Sequence, residues 1–309
     1  MASLWVICSQ RINKVARFKS MRMVIGLVGS VIVGSFLFVS SPSACAAASP
    51  PQTSGSVDVQ TIHYPSGDVS IEAYLAKPKS SGKHPAILLV HDDHGLTRGT
   101  QDLARQFAQS GFVAMAPNLL SHPGTPKFAG PGDGYTPRLP VNVLSADQTV
   151  DDVVGAFAYL KQDADVDAAK ISAIGIGWGG WRTFKLAENE ASLYRLVVFY
   201  GVTPDGGQLD AIKAPVLAHY AQGDFLVTAS SLKTKKWLGQ KFTSYIYPNT
   251  DHGFFGGGSG GIDVVAMSGE VDLDAAARQK AQESHNSYKD DSANASKLAL
   301  DRTLAFLRN

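Results

Sequence analysis

Stretches of unbroken apolar residues alternate along this chain with stretches in which apolar residues recur every three or four positions. "HPAILLVHDD", "FVAMAPNLL", "KISAIGIG", "RLVVFYG" and "APVLAHYAQGD" are the first kind, the pattern of strands buried on both faces. "TQDLARQFAQSG" and "ADQTVDDVVGAFAYLKQ" have helical spacing, and "SKLALDRTLAFLRN" closes the chain in the same way. A strand that is apolar on both faces needs cover on both sides, and helices interleaved with strands supply it. The alternation therefore predicts an α/β fold with a mostly parallel central sheet and helices on both faces. "VDVQTIHY" and "VSIEAYLAKP" instead alternate with period two around "PSGD" and predict a hairpin, while "FTSYIYPN" reads as a last strand. Ligands in such sheets bind beyond the carboxyl ends of the strands.

Residues 1–48 do not join this pattern. Arg11, Lys14, Arg17, Lys19 and Arg22 form a basic stretch without acidic residues, followed by an apolar run from Val24 to Val39 and then "SSPSACAAASP". This is the layout of a secretory signal peptide, with cleavage after Ala46 or Ala48 fitting equally well. An uncleaved anchor helix is the competing reading, but the run is short for a span and its small-residue exit favours cleavage. Cys45 ends "PSAC", which has Pro42 where a lipoprotein site carries an aliphatic residue, and Met21 or Met23 are alternative starts. The expected product is an exported protein, periplasmic or secreted.

Cys8 and Cys45 both lie in or beside that segment, so a folded domain over 49–309 has no disulfide and no cysteine chemistry. The whole chain carries 28 Lys and Arg against 27 Asp and Glu. Without residues 1–48 the balance is 23 against 27, a net charge of about −4. A mildly acidic domain with no basic run is a poor partner for nucleic acid or, after signal cleavage, for an anionic membrane.

The strand "KISAIGIG" runs through a glycine-rich corner into "GGWRTFKLAENE". A hydrolase nucleophile elbow, G-x-S/C-x-G, has this strand–turn–helix context. Gly175 and Gly179 match its outer glycines, and Gly177 stands at the centre, where it offers no nucleophile. The elbow backbone costs a non-glycine residue on the order of 1–3 kcal/mol, which glycine avoids.

The order of motifs resembles the dienelactone hydrolase family of the α/β-hydrolase superfamily from about Val57 to Leu307. "AILLVHDDHGL" is similar to the family's strand ending in H-E-x-x-G-L, "GFVAMAPNLL" to G-Y-x-x-x-A-P-D-L, and "AIGIGWGG" to its G-x-C-x-G-G elbow. "AQGDFLV" resembles its acid loop, "DHGF" its histidine loop and "LALDRTLAFL" its terminal helix. The resemblance implies an α/β-hydrolase fold with Asp224 as acid, His252 as histidine and Gly177 at the vacated nucleophile position. The backbone N–H groups of Trp178 and Asp93 would form the oxyanion hole. Asp92 stands where the family often has Glu and, with Trp178, would touch the substrate.

Other candidates carry less. "HDDH" (91–94) invites a metal reading, but on an extended strand His91 and His94 point to opposite sides, so buried strand-end polar residues are the expectation. No metal or cofactor is assigned. Trp178 is read as a pocket wall and Trp181 as core packing. Neither Ser121 nor Ser172 sits at the elbow. Residues 256–287, beginning "GGGSGG", are long for a connection and read as either a lid insert or surface chain. Two functions compete: hydrolysis of a small ester or lactone by a His/Asp pair with a backbone oxyanion hole, and an inactive exported protein binding a small ester, lactone or acidic ligand.

Overall fold

Unbroken apolar runs pair into the middle of an eight-stranded sheet, and the alternating hairpin forms one edge. In the computed structural model, residues 56–123, 125, 144–204, 208–255 and 291–309 are described. The leader read over 1–48 and the insert read over 256–287 lie outside the described residues. Strand β1 (Val57–Ser66) turns at Gly67, at φ +54°, into an antiparallel β2 (Val69–Pro78), as the period-two pattern predicts. β2 runs antiparallel to β4 (Val113–Pro117). From there β3 (His84–Val90), β5 (Val166–Ile176), β6 (Leu196–Phe199), β7 (Val216–Ala221) and β8 (Phe242–Tyr247) continue in parallel. The order β1-β2-β4-β3-β5-β6-β7-β8 places β3 and β5 side by side, with their carboxyl ends adjacent.

Helices cover both faces. α1 (Arg98–Gln109) starts at Thr97, whose hydroxyl accepts from Thr100 N–H, and its Leu103, Ala104, Phe107 and Ala108 are buried. α5 (Ser292–Arg308) shares that layer through Ala295, Ala299, Leu304 and Leu307. α2 (Ala146–Gln162) starts at Ser145, which caps Gln148 N–H at 3.0 Å, and buries Val153, Ala156, Phe157 and Leu160 on the other face of the sheet. α3 (Trp178–Asn189) and α4 (Phe225–Leu238) complete that layer.

Two local features differ from the sequence reading. α4 was not expected, because "FLVTASSLKTKKWL" lacks a one-sided apolar stripe: Leu232 and Trp237 are 76% and 57% exposed. The strand over 84–93 is shorter than its polar end suggests. β3 stops at Val90, and Asp92 to Gly95 turn back through Gly95 N–H donating to Asp92 O at 3.2 Å.

Candidate active site

The site is built around the corner between β5 and α3. Gly177 is the sole residue between them and adopts φ +50°, ψ −115°, a region open to glycine and strained for other residues. Its N–H donates to Phe199 O at 2.9 Å and its carbonyl accepts from Gly180 N–H at 2.9 Å. The neighbouring glycines are needed for space. A Cβ on Gly175 would lie 2.3 Å from Thr183 Oγ1, one on Gly179 2.5 Å from the carbonyls of Val90 and His91, and one on Gly180 2.7 Å from Gly201 Cα. Together they draw the start of α3 onto the ends of β3 and β6. A Cβ on Gly177 would meet only ordinary contacts, Asp92 Cβ and Tyr200 Cε2 at 3.4 Å each. Trp178 opens α3, so its N–H falls among the helix-start donors that have no acceptor within the helix.

Asp224 and His252 come from the loops after β7 and β8, and the fold brings them together. His252 Nδ1 lies 2.5 Å from Asp224 Oδ2, and Asp224 is wholly buried. The histidine loop is tied locally by His252 N–H to Asp251 Oδ1 at 2.8 Å and Phe254 N–H to Asp251 O at 3.2 Å. Burial alone would lower the imidazole pKa. The Asp224 charge and hydrogen bond, with Asp93 and Asp251, outweigh it and raise the pKa above the usual 6.5. Asp224 therefore fixes the Nδ1–H tautomer and favours imidazolium, as a base-orienting carboxylate does.

Asp92 reaches the same place from β3. Burial would raise its pKa, but the His94 hydrogen bonds and charge hold its carboxyl below the usual range. Its Oδ1 accepts from His94 N–H at 3.0 Å, and His94 Nδ1 lies 3.3 Å from both Asp92 and Asp93. These three side chains gather polar atoms within 4.8 Å of one another. The His94 imidazole thus lies between the two carboxylates. His91 is not part of this cluster. Buried completely, it accepts from Leu119 N–H at Nε2 (3.1 Å) and so donates from Nδ1 to Asp92 O (2.6 Å). Burial lowers its pKa and keeps it neutral.

The two tryptophans differ in burial from the sequence reading. Trp178 is 8% exposed and belongs to the core. Its ring is stacked on His91 at 6.0 Å, with the Arg182 guanidinium 3.7 Å above it. Trp181 is half-buried beside Arg182 and Lys185. Packing thus takes up the Trp178 ring, while its backbone opens α3. Ser172 is buried within β5, and Ser121 Oγ is engaged with Asn118 O and Glu72 N–H, so neither stands at the corner. The residue the sequence reading missed is Tyr200, directly after β6, whose ring centroid lies 4.8 Å from that of His252. Its place at the carboxyl end of a buried strand, in "VVFYG", was the available signal.

A sharp turn between β5 and α3, backed by an imidazole–carboxylate pair from the loops after β7 and β8, on a sheet of this order, defines an α/β-hydrolase fold. Within that class the chain belongs to the dienelactone hydrolase family, whose model matches residues 71–308. A Synechocystis protein named "Putative carboxymethylenebutenolidase" is 25% identical over 224 residues, covering 64% of this chain and 88% of that protein. A Bradyrhizobium protein named "Probable 2-oxo-3-(5-oxofuran-2-ylidene)propanoate lactonase" is 28% identical over 198 residues, covering 59% of this chain and 78% of its own. Among solved structures, a dienelactone hydrolase from Klebsiella pneumoniae, titled putative, superposes with a TM-score of 0.63 at 20% identity, over 82% of this chain and all of the other. A dienelactone hydrolase-like promiscuous phosphotriesterase from metagenomic libraries gives 0.57 at 21% identity, over 79% and 99% of the two chains. At that identity the two structures speak for the fold alone.

Proposed function

We propose that this protein hydrolyses small esters or lactones by activating water with Asp224 and His252, without a side-chain nucleophile at Gly177. The observation that carries the reading is the 2.5 Å His252–Asp224 bond, retained beside a corner of elbow conformation. His252 takes a proton from water, and the backbone N–H groups of Trp178 and Asp93 receive the developing oxyanion. A hole made of backbone survives the loss of a nucleophile, and triad enzymes lacking one member retain roughly 10³–10⁴-fold catalysis over water. Cyclic esters are favoured by the names of the relatives, a carboxymethylenebutenolidase and a lactonase.

The test compares wild type with His252→Ala on p-nitrophenyl acetate and simple lactones. Wild type is expected to be faster, on the scale of roughly 10²-fold for a general base; equal rates overturn the reading. The base works only when deprotonated, so activity rises with pH through a midpoint above 6.5, where Asp224 and its neighbours place the imidazole. Asp224→Asn removes the largest of those charges and moves the midpoint down.

Gly177 itself favours a second reading, a binding protein that holds a small ligand without turnover. Calorimetry would then show a lactone binding and being recovered intact. We also propose that the chain is exported, on the basic flank, apolar run and small-residue exit of residues 1–48. N-terminal sequencing of native protein should find Ala47 or Ser49; a Met1 start with cytoplasmic recovery overturns this.

A further inference from the structure

Tyr200 is a bulky residue at φ +38°, where non-glycine residues are uncommon and strained. A chain that needed only to turn here could place glycine in this conformation, and Gly201 is the very next residue. Gly201 is required where it stands, because a Cβ on it would lie 2.8 Å from Gly180 Cα and 2.7 Å from Val198 Cγ1. The strained conformation is held from both ends of Tyr200. Its N–H donates to His219 O on β7 at 2.8 Å, and its O–H donates to Phe255 O at 2.7 Å. Phe255 is the last described residue of the histidine loop and stacks on Phe199 at 3.8 Å between ring centroids. Between those two bonds the Tyr200 ring backs His252 at 4.8 Å and 59°, meets Phe254 edge-on at 5.7 Å, and passes 3.4 Å from where a Cβ on Gly177 would stand.

We propose that Tyr200 is the positioning residue of this site, clamping the loop that carries His252 and backing its imidazole so that the ring keeps its bond to Asp224 beside the Gly177 corner. The catalytic consequence rests on the water-activation reading above; the positioning itself does not. Tyr200 is buried, and burial with the nearby charges of Asp92, Asp93 and Asp224 raises its phenol pKa well above 10. The hydroxyl therefore stays a donor to Phe255 O at every working pH. Strain held at a site by surrounding contacts is a recognised way to preorganise a reacting group.

The experiment uses Tyr200→Phe, which keeps the ring and loses only the bond to Phe255 O. Tyr64→Phe is the comparison, because it too removes a buried hydroxyl bond, to Asp152 O at 2.9 Å, away from the site. The first readout is the NMR titration of the His252 imidazole, which needs no turnover. Tyr200→Phe should lower its pKa toward 6.5 and broaden the Nδ1 proton signal, while Tyr64→Phe leaves both as in wild type. The second readout is ester hydrolysis. There Tyr200→Phe should lower kcat about fivefold to tenfold with KM nearly unchanged, the scale of one buried hydrogen bond. Tyr200→Leu, which removes the ring as well, should deepen both changes. If wild type proves inactive, the titration alone decides. An unchanged His252 titration in Tyr200→Phe, or the same change in Tyr64→Phe, overturns the proposal.

Discussion

Gly177→Cys or Gly177→Ser should convert this protein into an acyl-enzyme hydrolase, and lose stability in doing so. The Cβ meets Asp92 Cβ and Tyr200 Cε2 at 3.4 Å, which is ordinary contact, so no neighbour has to move. The Tyr200 ring that this Cβ would touch lies 4.8 Å, centroid to centroid, from His252, so the new hydroxyl or thiol is expected to come within reach of the imidazole. His252 would serve as its general base, and the helix-start N–H of Trp178 would meet the oxyanion. Turnover of an activated ester should rise well above wild type, and mass spectrometry should detect the covalent acyl-enzyme. The cost comes from backbone, since φ at Gly177 is +50°. A side chain there is strained by about 1–3 kcal/mol, visible as a lower melting temperature. Gly177→Ala separates the two effects, because it carries the strain and no nucleophile. If Gly177→Cys changes neither activity nor stability, the corner is not a vacated elbow.

The second large effect concerns stability against acid. His219 is completely buried on β7, with Nδ1 2.9 Å from Tyr247 Oη on β8 and Nε2 3.0 Å from Thr303 Oγ1 on α5. Its ring is stacked on Phe199 at 4.7 Å. Burial, reinforced by Arg302, pushes its pKa from 6.5 down to about 3. The folded protein therefore holds His219 neutral over a range in which the unfolded chain takes up a proton. Stability is fully present above pH 6.5 and falls as pH drops from 6.5 toward 3. At 1.36 kcal/mol per pH unit, the loss from this one residue is at most about 5 kcal/mol at pH 3. Denaturant unfolding of wild type and His219→Gln between pH 7 and pH 4 measures it. The variant starts less stable, because the bonds to Tyr247 and Thr303 are disturbed, but its stability should fall less steeply with acid. Parallel pH profiles would mean that His219 is not held neutral in the fold.

Both predictions begin from residues visible in the sequence, yet only one could have been made from it. Gly177 at the centre of "GIGWGG" is legible because the strand, the corner and the helix are each local patterns, and glycine at the corner has a local backbone reason. Asp224 and His252 are legible because "AQGDFLV" and "DHGF" resemble the acid and histidine loops of the dienelactone hydrolase family, and each lies in the loop after a parallel strand whose end reaches one rim of the sheet. His219 carries no such signal. In "VLAHYA" it is one residue among apolar neighbours, and its depressed pKa arises from three elements that meet only in the folded chain.

The chain's own pattern determined the α/β class, the opening hairpin, the glycine corner and the loops that bear the acid and the histidine. The class, hairpin and corner are set by local periodicity or by a residue's intrinsic backbone freedom, and the two loops are recognised by their resemblance to the family's motifs. Tertiary structure decided the rest. It formed α4 without an apolar stripe, because packing on the sheet supplies what spacing does not. It turned the Trp178 ring into core between His91 and Arg182 and kept the partner carboxylates on His94. It also bent Tyr200 into a conformation its own sequence disfavours, because bonds to β7 and to the histidine loop hold it there. Contacts between residues far apart in the chain carry no periodicity, so they become visible only when the strands that bear them are laid side by side.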